Sequence, residues 1–220
     1  MKKTYDIVDA AAQEYAEKYT TPPNELLRNL LRDTHLHQVQ SHMLSGPLQG
    51  MLLSLISRMI RPERILEVGT FTGYSALCLA EGLQPGGQLH TIDNNEELEE
   101  ECRRYFRSAG MDDRIQLHIG AAAEVIPQLE GPFDLVFLDA DKTSYSLYFD
   151  LVIGKMRPGA FLIADNMFFH GEVLQPEEKQ SNNAKAIIAF NKKVAADPRV
   201  EQVMLTLRDG ILLVQKVEGI

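Results

Sequence analysis

Tryptophan is absent from the 220 residues, and cysteine occurs only twice, at Cys78 and Cys102. Two thiols without Cys-x-x-Cys spacing cannot build a disulfide scaffold; both sit in stretches that read as helix, which predicts core thiols. Long apolar runs are missing as well. The stretch from Met51 to Ile56 is interrupted by Ser54 and falls far short of the roughly 20 residues that a membrane-spanning helix needs. Lys2 and Lys3 imitate the start of a signal peptide, but Asp6 and Asp9 break its would-be apolar segment, so a cytoplasmic protein is expected. Positive charge is also in deficit. A net charge of -9 repels polyanions and disfavours binding to long nucleic acids or anionic membranes.

What is present is the composition of an ordinary globular chain, 45% apolar and 24% charged. A single domain spanning 1–220 is expected, with a helical cap segment over 1–60 and an α/β core over 61–220. In the cap, Ile7, Ala11 and Tyr15 share one helical face. Thr21 before Pro22 predicts the start of a second helix carrying Leu26, Leu27, Leu30 and Leu31. A third helix carries Leu48, Met51, Leu52, Leu55, Ile56 and Met59 and stops at Pro62.

From Arg64 onward, short apolar runs alternate with helix-length segments: Ile65 to Val68, Leu89 to Ile92, Ile115 to Ile119, Leu135 to Leu138 and Phe161 to Ala164. Such continuous runs predict a parallel sheet covered by helices on both faces. Val200 to Leu207 and Ile211 to Val217 flank Asp209-Gly210, a turn pair that predicts an antiparallel hairpin at the sheet edge.

Ligands of open α/β sheets sit beyond the carboxyl ends of the strands. There the first strand runs into Glu67-Val68-Gly69-Thr70-Phe71-Thr72-Gly73-Tyr74-Ser75. Phe71 and Tyr74 stand where a dinucleotide fingerprint needs glycine, and the G-K-[ST] of a P-loop is missing, so this turn suits a nucleoside without phosphates. Asp93 ends the second strand 26 residues after Glu67, near the interval at which such folds offer an acid to ribose hydroxyls; alternatively, Asp93 and Asn94 cap the next helix. Asp139 ends the fourth strand, and Asp165 and Asn166 end the fifth. Three oxygen ligands on one rim suit a hard cation such as magnesium, manganese or calcium, unless these residues only cap helices. His35, His37 and His42 lack the spacing of a common metal motif and read as a polar helix end or loop.

The segment Ile65 to Ser75, together with Phe137-Leu138-Asp139-Ala140-Asp141-Lys142 and Asp165-Asn166, resembles the cation-dependent O-methyltransferases that use S-adenosyl-L-methionine, the caffeoyl-CoA and catechol O-methyltransferase relatives. The resemblance runs from about Met43 to the C-terminus. It implies a class I methyltransferase fold, a Rossmann-like seven-stranded sheet, mostly parallel, with an antiparallel last strand. It further implies that Met43, Ser45, Glu67, Gly69, Thr70, Ser75, Asp93, Ala122 and Asp139 bind the cofactor, and that Asp139, Asp165 and Asn166 hold the metal. Asp139 and Lys142 would be catalytic, Lys142 as the base beside the acceptor hydroxyl.

Chelation by a metal favours an acceptor with two adjacent oxygens, such as a catechol or a vicinal hydroxyl-keto group. Plant-type relatives carry tryptophan after Asp-Asn, where this chain has Phe169 and then His170, and the glutamate used by the catechol branch near the final strands has no clear counterpart. The alternative acceptor is a hydroxylated wobble uridine in tRNA, met by Arg28, Arg32, Lys155, Arg157, Lys192 and Lys193 if they converge. The resemblance also implies a homodimer, for which Leu27, Leu30 and Leu31 are candidate interface residues.

Overall fold

The protein's structure, a computed structural model, describes residues 7–217. Lys2, Lys3 and Asp6, on which the signal-peptide reading turned, lie outside them. Seven strands form one sheet: β1 (Arg64–Val68), β2 (Gln88–Asp93), β3 (Ile115–Ile119), β4 (Phe133–Leu138), β5 (Met156–Asp165), β6 (Val200–Leu205) and β7 (Ile211–Lys216). Their order is β3-β2-β1-β4-β5-β7-β6. The first five pair in parallel, and β7 runs antiparallel between β5 and β6. This is the class I methyltransferase sheet expected from the sequence, with the hairpin at its edge.

Eight α-helices accompany it: α1 (Ala10–Lys18), α2 (Glu25–His37), α3 (Gly46–Ile60), α4 (Tyr74–Ala80), α5 (Glu99–Ser108), α6 (Ala122–Gln128), α7 (Tyr145–Ile153) and α8 (Asn182–Ala195). Strand alternation divides the core in two. Ile65, Leu89, Leu135 and Phe137 face Leu30, Leu53, Leu79 and Phe106 of α2 to α5; Leu66, Val136 and Leu162 face Ile126, Phe149 and Phe190 of α6 to α8. Every residue of β4 is buried, which is why Leu135 to Leu138 read as a continuous apolar run; Asp134, also buried, accepts from the Glu63 and Arg64 amides. Cys78 and Cys102 are buried free thiols, as expected. Among the described residues, no helix is long and apolar enough to cross a membrane.

Several local expectations are corrected. Helix α2 begins at Glu25, capped by Asn24 accepting from the Leu27 amide at 2.9 Å, because Pro22 and Pro23 hold the preceding chain extended. Ile7 precedes α1, which Asp9 caps; no residue of this helix is buried, and Tyr15 is exposed. Leu27 and Leu30 are buried in the chain's own core and Leu31 packs against it, so they do not form a free face for a partner. The β6–β7 connection is the five-residue turn 206–210, not a two-residue one: Thr206 and Leu207 leave the expected strand, and Arg208 and Gly210 take left-handed backbone.

Candidate active site

The strand order reverses between β1 and β4, the crevice in which open α/β sheets place ligands. Glu67 lies in β1 just before that edge and is fully buried. Thr91 of β2 donates to its Oε2 at 2.5 Å and is joined at 2.5 Å to the Thr70 hydroxyl, while its Oε1 has no hydrogen-bond partner. Burial pushes the carboxyl up to about 8, against the hydroxyls of Ser75 and Thr91, which pull it down. Gly69 follows with φ of +106°, and a Cβ there would lie 2.0 Å from the Asp139 carbonyl oxygen. Only glycine lets the β1 loop approach the end of β4 this closely. Ser75 is buried in the first turn of α4.

Asp93, at the end of β2, accepts from the Phe71 amide at 2.7 Å and the Asn95 amide at 2.9 Å. The helical cap belongs to Asn95, which accepts from Glu97; Asp93 instead ties down the glycine-bounded turn. Its carboxylate retains acceptor sites for hydroxyl donors. Ala122 opens α6 and is buried. Ser45 stands just before α3 without a side-chain capping bond and is buried, whereas Met43 ends a 3-10 turn and is half exposed.

Asp139 and Lys142 follow β4, Asp165 is the last residue of β5, and Asn166 follows it. Lys142 Nζ donates to Asp139 Oδ1 at 3.0 Å and to the Tyr145 hydroxyl at 2.7 Å. Tyr145 is fully buried and contacts the carbonyl oxygens of Leu138 at 3.0 Å and Asp165 at 3.3 Å, so it joins Lys142 to the ends of both strands. Burial, and the Asp139 charge next, raise Asp165 to about 6, while Gln49, Lys142 and Arg208 oppose the rise. Asn166 adopts left-handed backbone, φ +63°, and its own amide donates to Asp165 Oδ1 at 2.7 Å.

This donor set fits a hard divalent cation. Two carboxylates and an amide are the oxygen donors such an ion takes, and Lys142, paired with Asp139, offsets only one of the two negative charges. Among the described residues, no three His, Cys, Asp or Glu side chains form a metal-holding cluster, so His35, His37 and His42 form none.

Five residues that the sequence reading did not assign to the site belong to its framework: Thr91, Tyr145, Gln49, Arg208 and Asp209. Gln49 donates to Asp165 Oδ2 at 2.9 Å, Arg208 bonds to Gln49, and Asp209 accepts from Asn166 at 3.3 Å. Only Asp209 gave any signal, as half of the turn pair Asp209-Gly210.

A seven-stranded sheet of this order, with acids at the ends of β1, β2, β4 and β5, defines a class I methyltransferase. The family model described as O-methyltransferase matches residues 16–217. A probable caffeoyl-CoA O-methyltransferase 1 of Dictyostelium discoideum is 30% identical over 208 residues, covering 92% of this chain and 90% of that one. A catechol O-methyltransferase of Niastella koreensis is 32% identical over 166 residues, 74% of this chain and 75% of its own. The SAH-bound methyltransferase PaMTH1 of Podospora anserina superposes with a TM-score of 0.88 at 26% identity, covering 94% of both chains. The chain belongs to the O-methyltransferase family and is an S-adenosylmethionine-dependent enzyme that transfers methyl groups to oxygen.

Proposed function

We propose that this enzyme methylates one hydroxyl of a small acceptor bearing two adjacent oxygens, a catechol or a vicinal hydroxyl-keto compound, with a divalent cation held by Asp139, Asp165 and Asn166. The observation that carries this reading is the acid pair Asp139 and Asp165 on one rim with Lys142 bonded to Asp139. When bound, such a cation stabilises an oxyanion and orients two neighbouring oxygens.

The chain's own groups supply the rest. Glu67, Gly69, Thr70, Ser75, Asp93 and Ala122, with Met43 and Ser45 from the N-terminal side, form the cofactor side. A buried acid with an unpartnered oxygen suits a ligand carrying positive charge, as the sulfonium and ammonium of S-adenosylmethionine do. Lys142 in its neutral form takes the proton of the acceptor hydroxyl, and Tyr145 fixes the Nζ that receives it. When bound, S-adenosylmethionine would supply the methyl carbon, its carbon–sulfur bond breaking with the electron pair kept on sulfur as the acceptor oxygen bonds to carbon. Positioning the oxygen in line behind that carbon is itself a large part of catalysis.

No observation favours a tRNA acceptor. Arg157 pairs with Asp134, Lys193 with Asp150, and Lys155 is bonded to the carbonyls of Pro127 and Leu129. Lys155 and Arg157 stand at the opposite end of β5 from Asp165: Met156 pairs with Phe133 and Ala164 with Leu138, a separation of about 17 Å at roughly 3.3 Å per residue of β4.

The proposed homodimer would have to pair faces other than Leu27 and Leu30; sedimentation equilibrium tests it, and a concentration-independent monomer mass rejects it. For the acceptor, labelled cofactor is supplied with a catechol panel or with undermodified tRNA, with magnesium or excess chelator. Transfer to a catechol that chelation abolishes and magnesium restores is expected. Full transfer in chelator, or transfer to tRNA alone, overturns the reading.

A further inference from the structure

The turn between β6 and β7 reaches the candidate cation ligands by two arms. Along one, the Arg208 guanidinium bonds to the carbonyl oxygen of Ser45, to Gln49 Oε1 and, at 3.3 Å, to the carbonyl oxygen of Leu44. Gln49 is fully buried, and its Nε2 donates to Asp165 Oδ2 at 2.9 Å. An amide between a guanidinium and a carboxylate has one stable orientation, oxygen toward the cation and NH2 toward the anion; flipped, it would set donor against donor and acceptor against acceptor. Gln49 thereby fixes the side chain of Asp165.

Along the other arm, Asp209 Oδ2 accepts from Asn166 Nδ2 at 3.3 Å, while its Oδ1 accepts from the His170 amide at 2.7 Å. Its backbone closes the same junction: the Phe168 amide donates to the Asp209 carbonyl at 2.9 Å and the Met167 amide to that of Gly210 at 3.0 Å. With its NH2 taken by Asp209, the Asn166 amide keeps its oxygen, the end that a hard cation uses, at the opposite end of the group.

We infer that Gln49, held by Arg208, and Asp209 are positioning residues: they orient Asp165 and Asn166 for the cation without touching it. The inference rests on the cation reading proposed above. Arg208 also ties the Leu44–Ser45 segment, on the proposed cofactor side, to the same anchor. Outer partners of metal ligands that fix ligand orientation typically contribute about 10- to 100-fold to metal affinity. A merely structural role would lower stability and leave that affinity in place.

The experiment measures manganese binding to the full-length protein by electron paramagnetic resonance, for wild type, Gln49→Met and Asp209→Asn, each checked by thermal melting. The expected result is a manganese Kd about 10- to 100-fold higher in each folded variant, with the manganese concentration for half-maximal turnover raised by the same factor. At saturating manganese kcat should fall by less than about threefold, since the ligands themselves are intact. Folded variants that bind manganese within about twofold of wild type overturn the inference and leave the cation reading standing. A wild type that binds no manganese overturns both. Should Gln49→Met fail to fold, Asp209→Asn alone decides.

Discussion

Lys142 and Asp139 form an ion pair, Nζ 3.0 Å from Oδ1, although both stand where the chemistry is expected to occur. Both side chains are largely shielded, at 11% and 16% exposure, so this contact is not the loosely solvated kind that contributes almost nothing. In the proposed reading this one carboxylate faces two demands, as cation ligand and as partner of an ammonium, and a lysine that gives up a proton to act as base also relinquishes half of the pair.

Substitution at Lys142 separates the two roles. Lys142→Met removes the proposed base and its charge, and kcat is expected to fall by about 10²- to 10⁴-fold, least at high pH, where hydroxide can replace the missing base. Lys142→Arg keeps the charge beside Asp139 but cannot deprotonate, so it should fail nearly as badly. Steady-state kinetics across pH check this; an arginine variant with near wild-type kcat would assign Lys142 an electrostatic role alone.

Gly69 sets the distance between the loop after β1 and the end of β4. Its φ of +106° disfavours any side chain, and an added Cβ would meet the backbone oxygen of Asp139 at 2.0 Å, a group that cannot rotate away. Gly69→Ala is expected to cost about 3 kcal/mol or more in urea unfolding, and to weaken cofactor binding in whatever fraction stays folded. A loss under about 1 kcal/mol would mean that the β1–β4 junction yields easily.

The acids Glu67, Asp93, Asp139 and Asp165 were legible because strands buried in the sheet read as apolar runs, and an acid within or just after the end of such a run stands out against it. The framework behind these acids was not. Gln49 and Asp165 are 116 residues apart and Asn166 and Asp209 are 43 apart, so nothing local in the sequence announces either bond. Tyr145 and Thr91 look like ordinary aromatic and β-branched core residues until the fold sets their hydroxyls beside Lys142 and Glu67. Leu27 and Leu30 illustrate the converse, since an apolar helix stripe has one appearance whether it faces its own core or a partner.

Glu67 makes stability and cofactor binding depend on pH with predictable signs. Its folded-state carboxyl is raised from 4.5 to about 8, chiefly by burial, so the folded chain holds this proton more tightly than the unfolded one. The stability it contributes is complete below about pH 4.5 and is lost as pH climbs toward 8, at up to about 1.4 kcal/mol per pH unit. Glu67→Gln keeps a neutral side chain of the same shape, and its urea-unfolding free energy is expected to stay flatter across that window. The cofactor carries positive charge, and a cation brought near the acid favours its ionised form. Binding at pH 6 to 7 should therefore release a proton, seen in calorimetry as a binding enthalpy that varies with the ionisation heat of the buffer. That dependence should vanish in Glu67→Gln. Were proton release to persist undiminished in the glutamine variant, another group would be its source, and Glu67 would be a structural acid buried apart from the cofactor.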